Sequence, residues 1–100
     1  MARMIHAIVL APEAVQDFHV LEAFERSQVR DAMGRFLRHD PERVSRSRIK
    51  RLRGLRQPQY RLRVGELRVF YDVSGLRVEV LAIVSKSQAV QWLQEKGIPS

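Results

Sequence analysis

Apolar and polar residues alternate from Tyr60 to Val73, which is the period of β-strands with one buried face. Gly65 and Glu66 interrupt this alternation, and glycine in the first position of a two-residue turn favours a type II′ β-hairpin. Ser74-Gly75 has the composition of a second tight turn, followed by another apolar segment. The pattern predicts a three-stranded antiparallel meander formed by residues 60–64, 67–73 and 77–84.

The N-terminal half has a different period. Residues 4–10 form an apolar, β-branched run that predicts a first strand, and Pro12 next to Glu13 is typical of the first turn of a helix. Apolar residues then recur at helical spacing in two stripes, which are Val15, Phe18 and Leu21, and then Val29, Met33, Phe36 and Leu37. The second helix should end before Asp40-Pro41. We expect a helix hairpin, with its connection near residues 23–26, packed on one face of a sheet.

The C-terminal residues 87–93 predict a short helix with Ala89, Trp92 and Leu93 on one side, ended by Gly97. Residues 43–58 show no clear period. A basic amphipathic helix lying on a membrane is one interpretation of that segment, but Gly54 and Pro58 disfavour it. The predicted order is β-α-α-β-β-β-α. It indicates an α+β fold with a small twisted antiparallel sheet, helices on one face, and the other face free for function.

Composition places the chain among basic globular proteins. One hundred residues with 45% hydrophobic content predict a single domain spanning residues 1–100. Cysteine is absent, so disulfides and cysteine-based zinc sites are excluded, and the chain suits the reducing cytoplasm. No apolar run approaches the roughly 18 residues that cross a bilayer. The net charge is +7, which predicts a polyanion or an acidic protein as partner.

The positive charge is concentrated in one segment. Residues 43–63 contain nine basic residues and no acidic one, whereas residues 13–31 contain five acids and two arginines. Within the meander, alternation places Arg61 and Arg63 on one face, and Arg68 on the same face of the next strand, beside either of them. Like charges on adjacent strands repel each other, and a phosphate gripped by guanidinium forks would relieve that repulsion. The alternative is solvated surface arginine balanced by Glu66, Asp72 and Glu79.

Other candidate chemistry is sparse. His6, His19 and His39 lie at no metal-ligand spacing, and Glu13 with Asp17 is better explained by charges in a helix first turn than by a catalytic pair. The phosphate-binding, dinucleotide-binding and metalloprotease motifs are absent. We expect no metal and no cofactor. Trp92 is most simply a core anchor for the last helix, and its alternative role is to stack on a nucleic-acid base.

The segments RSRIKRLRGLRQPQYRLRVGELRVFYDV and VEVLAIVSKSQAVQWL resemble the RelE/ParE toxin superfamily of type II toxin–antitoxin systems. The likeness is greatest to the branch known as plasmid stabilisation proteins. In length and element order the resemblance covers nearly the whole chain, and its specific part runs from Ile49 to Trp92. It implies a small twisted antiparallel sheet with two N-terminal helices on one side.

For RelE-like members the resemblance implies mRNA cleavage in the ribosomal A site, in which the 2′-hydroxyl of the RNA attacks the adjacent phosphate without a metal. Matched by motif, Arg61, Arg68 and Lys86 are the candidate catalytic residues. The acid–base position falls at Trp92, whose indole does not exchange protons usefully. Lys50 or Lys86 would then act as the base, with the neighbouring arginines favouring its uncharged form. The candidate RNA-binding residues are Arg46, Arg48, Lys50, Arg51, Arg53, Arg63 and Trp92.

Three functions therefore remain open. The first is a ribosome-dependent mRNA endoribonuclease that inhibits translation. The second is a ParE-like inhibitor of DNA gyrase, which needs no acid–base group. The third is an inert fold that binds only its antitoxin. All three imply a cytoplasmic hetero-oligomer with a Phd- or RelB-like antitoxin. The first adds mRNA and the ribosome as partners, the second adds gyrase, and none implies a membrane.

Overall fold

The structure, a computed structural model, describes residues 4–100 as a five-stranded sheet, a two-stranded ribbon and three α-helices. The helices are α1 (Pro12–His19), α2 (Ala23–Phe36) and α3 (Ala89–Lys96), and a 3₁₀ turn covers Lys86–Gln88. The strands are β1 (Ala7–Leu10), β2 (Ile49–Arg51), β3 (Leu55–Gln57), β4 (Tyr60–Val64), β5 (Leu67–Ser74), β6 (Arg77–Ser85) and β7 (Ile98–Pro99).

The large sheet has the strand order β1-β6-β5-β4-β2 and contains the predicted β4-β5-β6 meander at its centre. The α+β class is confirmed, but the sheet is mixed, because β1 lies parallel to β6 with Ala7 opposite Arg77. A parallel pair needs a long crossover connection. Here β1 pairs with a strand some seventy residues later, and local sequence patterns contain no signal for such a partner.

Two strands occupy the segment that had no clear period. β2 pairs antiparallel with β4 at the edge of the large sheet, and β3 pairs antiparallel with β7 in the ribbon. Each has only three residues, too few to show an alternation. The interpretation of residues 43–58 as an amphipathic membrane helix is therefore wrong. No helix within residues 4–100 has the length and apolar character needed to cross a membrane.

Several element boundaries differ from the prediction, and α3 (Ala89–Lys96) begins and ends later than the predicted residues 87–93. β1 begins at Ala7 rather than at residue 4, and α2 already ends at Phe36, ahead of the proline signal. The helix connection lies at residues 20–22 rather than 23–26. The cause of this last shift is local, because the Glu22 backbone N–H donates to the Glu25 carboxylate at 3.2 Å in a capping box.

The main core lies between the helix hairpin and one face of the sheet. Its fully buried side chains come from both layers, and they are Ala14, Val29 and Leu37 from the helical half and Leu62, Val69, Tyr71, Val78 and Val80 from the sheet. Asp17 of α1 accepts a hydrogen bond from the Ile83 backbone N–H at 2.9 Å. This carboxylate therefore holds α1 on β6, which agrees with its interpretation as a structural rather than a catalytic charge.

A second, smaller core lies on the opposite face. Phe70 and Ala82 pack there against Ala89, with Trp92 and Leu93 around them. The Trp92 and Phe70 rings are stacked, with centroids 5.0 Å apart and an interplanar angle of 5°. The expectation that all helices share one face is thus wrong, because α3 covers part of the face that was expected to be free. Trp92 acts as the core anchor of that helix.

Tyr71 joins the main core to the segment that follows α2. Its ring is fully buried and stacks on Tyr60 with a centroid distance of 5.5 Å, and its hydroxyl donates to the Pro41 carbonyl at 2.6 Å. Burial raises the pKa of the Tyr71 phenol above its ordinary value, and Tyr60 and Glu42 raise it further. The neutral phenol is therefore the form that the fold requires.

Tyr71→Phe should lower the free energy of unfolding by about 1 to 3 kcal/mol, because it leaves the Pro41 carbonyl without its donor. Urea denaturation measures the effect. Tyr60→Phe is the matched control, since Tyr60 is also buried and has no recorded hydroxyl hydrogen bond among residues 4–100. Equal losses in the two variants would contradict the assignment.

The difference in stability between wild type and Tyr71→Phe should also depend on pH. Above about pH 10 the unfolded chain releases the Tyr71 proton, whereas the folded protein retains it, so the free energy of unfolding falls as the pH rises. This group contributes about 1.4 kcal/mol per pH unit to that fall. Tyr71→Phe lacks the contribution, and its stability deficit relative to wild type should narrow between about pH 9 and pH 11. A deficit that stays constant over this range would refute the linkage.

Candidate nucleic-acid interface

The candidate site is organised by the hairpin between β4 and β5. Val64 pairs directly with Leu67, so the turn consists of Gly65 and Glu66 alone. Gly65 has a φ of 56°, in the left-handed region that side chains other than glycine disfavour. Glycine in the first turn position therefore confirms the predicted two-residue hairpin, and the turn sets the register of both strands.

This register places four cations on the face opposite the helix hairpin. Arg63 lies directly across from Arg68, which settles the neighbour of Arg68 that the sequence left open. On the other side of β4, Lys50 lies directly across from Arg61. We call Lys50, Arg61, Arg63 and Arg68 the cationic face. It spans the three adjacent strands β2, β4 and β5, and it contains two directly opposed pairs of like charge.

Arg68 is the most buried member of the cationic face, with 5% of its surface exposed. Its Nη1 donates to the Gly65 carbonyl at 2.9 Å and to the Leu67 carbonyl at 2.8 Å. Burial lowers the pKa of this guanidinium, and the charges of Arg61 and Arg63 lower it further. Arg68 therefore fixes the hairpin turn and also contributes charge to the face.

Asp72 and Glu79 do not neutralise the cationic face. Asp72 instead accepts hydrogen bonds from Gln57 Nε2 at 2.6 Å and from the Gln59 backbone N–H at 2.7 Å. Glu79 lies 3.9 Å from Arg77, the one ion pair within 4.0 Å among residues 4–100. Arg61 Nε is buried without a hydrogen-bond partner in this part of the chain. These contacts oppose the alternative of arginines balanced by Asp72 and Glu79, and they leave Glu66 as the remaining counter-charge of that alternative.

Lys86 lies at the hairpin end of this face. Its backbone N–H donates to the Glu66 carbonyl at 2.7 Å, and its side chain is exposed at the start of the 3₁₀ turn. The carboxylate of Glu66 also belongs to this end, because its charge opposes the lowering of the Arg68 pKa. Sequence reasoning treated Glu66 only as a turn residue and a counter-charge. Its position in the turn between two strands that carry arginines was the sequence feature that could have indicated a role in the site.

The remaining predicted RNA-binding residues are dispersed. Arg51 lies on the helix side of the sheet, with its guanidinium carbon 4.9 Å from the Tyr60 ring centroid. Arg48 lies 5.0 Å from the Phe36 ring centroid, and Arg46 and Arg53 are exposed in the connections around β2. Trp92 stacks on Phe70, the cross-strand neighbour of Arg61. Lys50, Arg63 and Trp92 thus lie on one face, and Arg51 lies on the other.

The arrangement suits the binding of an extended polyanion. Arginine side chains grip phosphates in two-point fashion, and several on one face favour a phosphate backbone over a single small anion. No cluster of three or more histidine, aspartate or glutamate side chains with metal-binding geometry occurs within residues 4–100. The chemistry that these residues offer is the stabilisation of negative charge on phosphate.

Solved structures provide the comparison. A chain from the RelB-RelE antitoxin-toxin complex of Methanococcus jannaschii matches with a TM-score of 0.64 and 16% identity, over 84% of this chain and 96% of that chain. Chains from the RelBE2 toxin-antitoxin complex of Mycobacterium tuberculosis and the archaeal RelE-RelB complex of Pyrococcus horikoshii OT3 both give 0.63. Their identities are 21% and 19%, and they cover 81% and 85% of this chain and 98% and 99% of their own.

This chain has the RelE toxin fold. The fold implied by the sequence resemblance is therefore confirmed. No protein-family model and no curated protein sequence matches the chain.

Arg63→Gln should stabilise the RelE fold at low salt by about 0.2 to 1 kcal/mol, because it removes the like charge opposite Arg68. In about 1 M salt the Debye length falls to about 3 Å, and the gain should shrink. Urea denaturation at both ionic strengths tests this. Arg53→Gln in the turn after β2 is the charge-matched control, expected within about 0.5 kcal/mol of wild type. A loss of stability in Arg63→Gln at low salt would contradict the repulsion.

Proposed function

We propose that this RelE-fold protein is the toxin of a type II toxin–antitoxin module and cleaves mRNA on the ribosome without a metal. The observation that carries the proposal is the cationic face, where two like-charged pairs oppose each other and form no ion pair within 4.0 Å among residues 4–100. Such repulsion destabilises a free sheet, and a bound phosphate backbone would relieve it. The shared fold with chains of RelE-containing complexes supports the same reading.

The proposed reaction uses the substrate's own nucleophile. The 2′-oxygen of the RNA attacks the adjacent phosphorus, and the bond from phosphorus to the 5′-oxygen breaks, which leaves a cyclic phosphate and a 5′-hydroxyl. In the transition state of this reaction, negative charge accumulates on the phosphate oxygens. Cations that are already in position stabilise this charge and so lower the activation barrier. Arg61 and Lys86 are the proposed contacts to these oxygens. Arg68 is proposed to act through its positive charge rather than through direct contact, since its Nη1 donates to backbone carbonyls.

Proton transfer is assigned to groups beside the arginines of the cationic face. The base removes the 2′-hydroxyl proton, and an acid protonates the leaving 5′-oxygen. Trp92 supplies neither, because its indole is stacked on Phe70 and has no useful acid–base chemistry. Lys86 and Lys50 are the proposed bases, and Glu66 is a third candidate from its place beside Lys86.

The proposed partner is a cytoplasmic RelB- or Phd-like antitoxin with an acidic segment that covers the cationic face. The matching structures are toxin–antitoxin complexes, two of them of RelE with RelB. Val20 and Phe24, beside the helix connection, are 81% and 61% exposed, and we propose them as an apolar contact for the antitoxin.

Inhibition of DNA gyrase is the second candidate function. One observation favours gyrase inhibition. The position where the RelE resemblance implies an acid–base residue holds Trp92, which is packed in the second core. A gyrase inhibitor acts by binding and needs no proton transfer. The two functions differ in whether RNA is cut, so one experiment separates them.

Brief induction of the wild-type protein in cells should create new RNA 5′ ends within translated frames. Lys86→Ala should reduce them by at least about 100-fold, in keeping with the loss of a general base or of charge stabilisation. Transcriptome-wide mapping of 5′ ends measures the effect. Lys96→Ala removes the same charge at the other end of α3 and should leave the new ends unchanged.

Growth arrest without new RNA ends would contradict the endoribonuclease. Arrest accompanied by loss of DNA supercoiling would instead establish gyrase as the target. If neither effect occurred, binding of the antitoxin alone would remain as the function.

A further inference from the structure

A second basic site lies around the edge of the sheet from the cationic face. A cavity of about 420 Å³ opens between the C-terminal end of α2 and the segment that leads into β2. Its lining includes Arg35, His39, Arg43 and Arg48, with Phe36 and Ile49 as the apolar part. We call it the edge cavity. Asp40 is the one acidic side chain of the lining, so three arginines exceed the local negative charge.

Two of these arginines are held in place by one aromatic ring. The guanidinium carbons of Arg35 and Arg48 lie 5.3 Å and 5.0 Å from the Phe36 ring centroid, which keeps them within about 10 Å of each other. Contact with a ring leaves guanidinium N–H donors available for an anion. Neither arginine forms an ion pair within 4.0 Å among the described residues. The cavity thus presents positioned cations that lack a protein counter-charge.

Arg48 connects the edge cavity to the cationic face. The Arg63 backbone N–H donates to the Arg48 carbonyl at 2.8 Å, so these two residues face each other across the ladder from β2 to β4. Arg63 in turn lies opposite Arg68. The Arg48 side chain reaches over the sheet edge to Phe36, and its Nη1 lies 3.4 Å from the Arg63 carbonyl. Neighbouring backbone positions that carry arginine therefore run from the cationic face to the cavity.

We propose that the edge cavity binds backbone phosphates of a single-stranded RNA whose neighbouring nucleotides lie on the cationic face. This inference rests on the proposed function and names a second contact for the same strand. An acidic peptide is the competing occupant. The cavity adjoins the cationic face at Arg48, so a strand that is bound on that face can continue into the cavity without a second ligand. A phosphate backbone requires only the charge and the donors.

The test uses a fluorescein-labelled, 2′-O-methylated RNA of about 12 nucleotides, which spans both surfaces and cannot be cleaved. Arg35→Gln combined with Arg43→Gln should raise its Kd at least about tenfold, and the slope of log K against log salt should fall by about 0.7 for each lost phosphate contact. Fluorescence anisotropy between about 50 and 200 mM salt gives both quantities. Circular dichroism establishes that the variants are folded.

The matched control is Arg30→Gln combined with Arg38→Gln, which removes the same charge from exposed positions outside the cavity. Its Kd should stay within about twofold of wild type, with an unchanged salt slope. Equal effects of the two double variants would overturn the inference, because only net charge would then matter.

The occupant and the proposed function are tested separately. If the cavity variant lost affinity for a poly-glutamate peptide and kept its affinity for RNA, the occupant would be a protein segment and the inference would be wrong. A wild-type protein that does not bind the RNA probe would also overturn it. The probe reports binding without cleavage. RNA affinity that depends on the cavity would therefore support the site even if induction produced no new RNA ends.

Discussion

The register of the β4–β5 hairpin is the constraint on which both faces of this molecule depend. With Gly65 and Glu66 alone in the turn, alternate residues of both strands share the main core, and the arginines between them share the opposite face. A slip by one residue would exchange these sets and bury guanidiniums beneath α2. Burying an unpaired charge costs several kcal/mol, so the apolar pattern and the charges specify the same register.

The cationic face is a local conflict that the rest of the fold offsets. Opposed like charges weaken the pairing of β4 with β5 and of β2 with β4, while the same strands bury Leu62, Val69 and Tyr71 completely on their other side. Burial of one such side chain stabilises by about 1.5 to 3 kcal/mol, which exceeds the roughly 0.2 to 1 kcal/mol of a cross-strand pair interaction. Local conflicts of this kind are expected where a protein binds a ligand.

Sequence reasoning succeeded where the signal was local and failed where it was tertiary. The hairpins and helices of the predicted fold follow from alternation, helical stripes and turn glycines. The three-residue strands β2 and β3 are too short to carry a period, and no local pattern pairs β1 with β6. Had β2 been recognised, alternation would have separated Lys50 from Arg51, which lie on opposite faces. The edge cavity joins α2 to residues near β2, a contact that no spacing in the sequence announces.

The hairpin turn also collects the groups that a phosphate-cleaving site would need. Its two carbonyls receive Arg68 Nη1 at Gly65 and the Lys86 backbone N–H at Glu66. One turn therefore sets the register of the arginines, holds the most buried of them, and draws the end of β6 with Lys86 to the same place. Trp92 meanwhile holds α3 on Phe70 beside Arg61. Because the tryptophan position lacks an acid–base group, the proposed proton transfer is assigned to the sheet side, at the turn or at Lys50, rather than to Trp92 on α3.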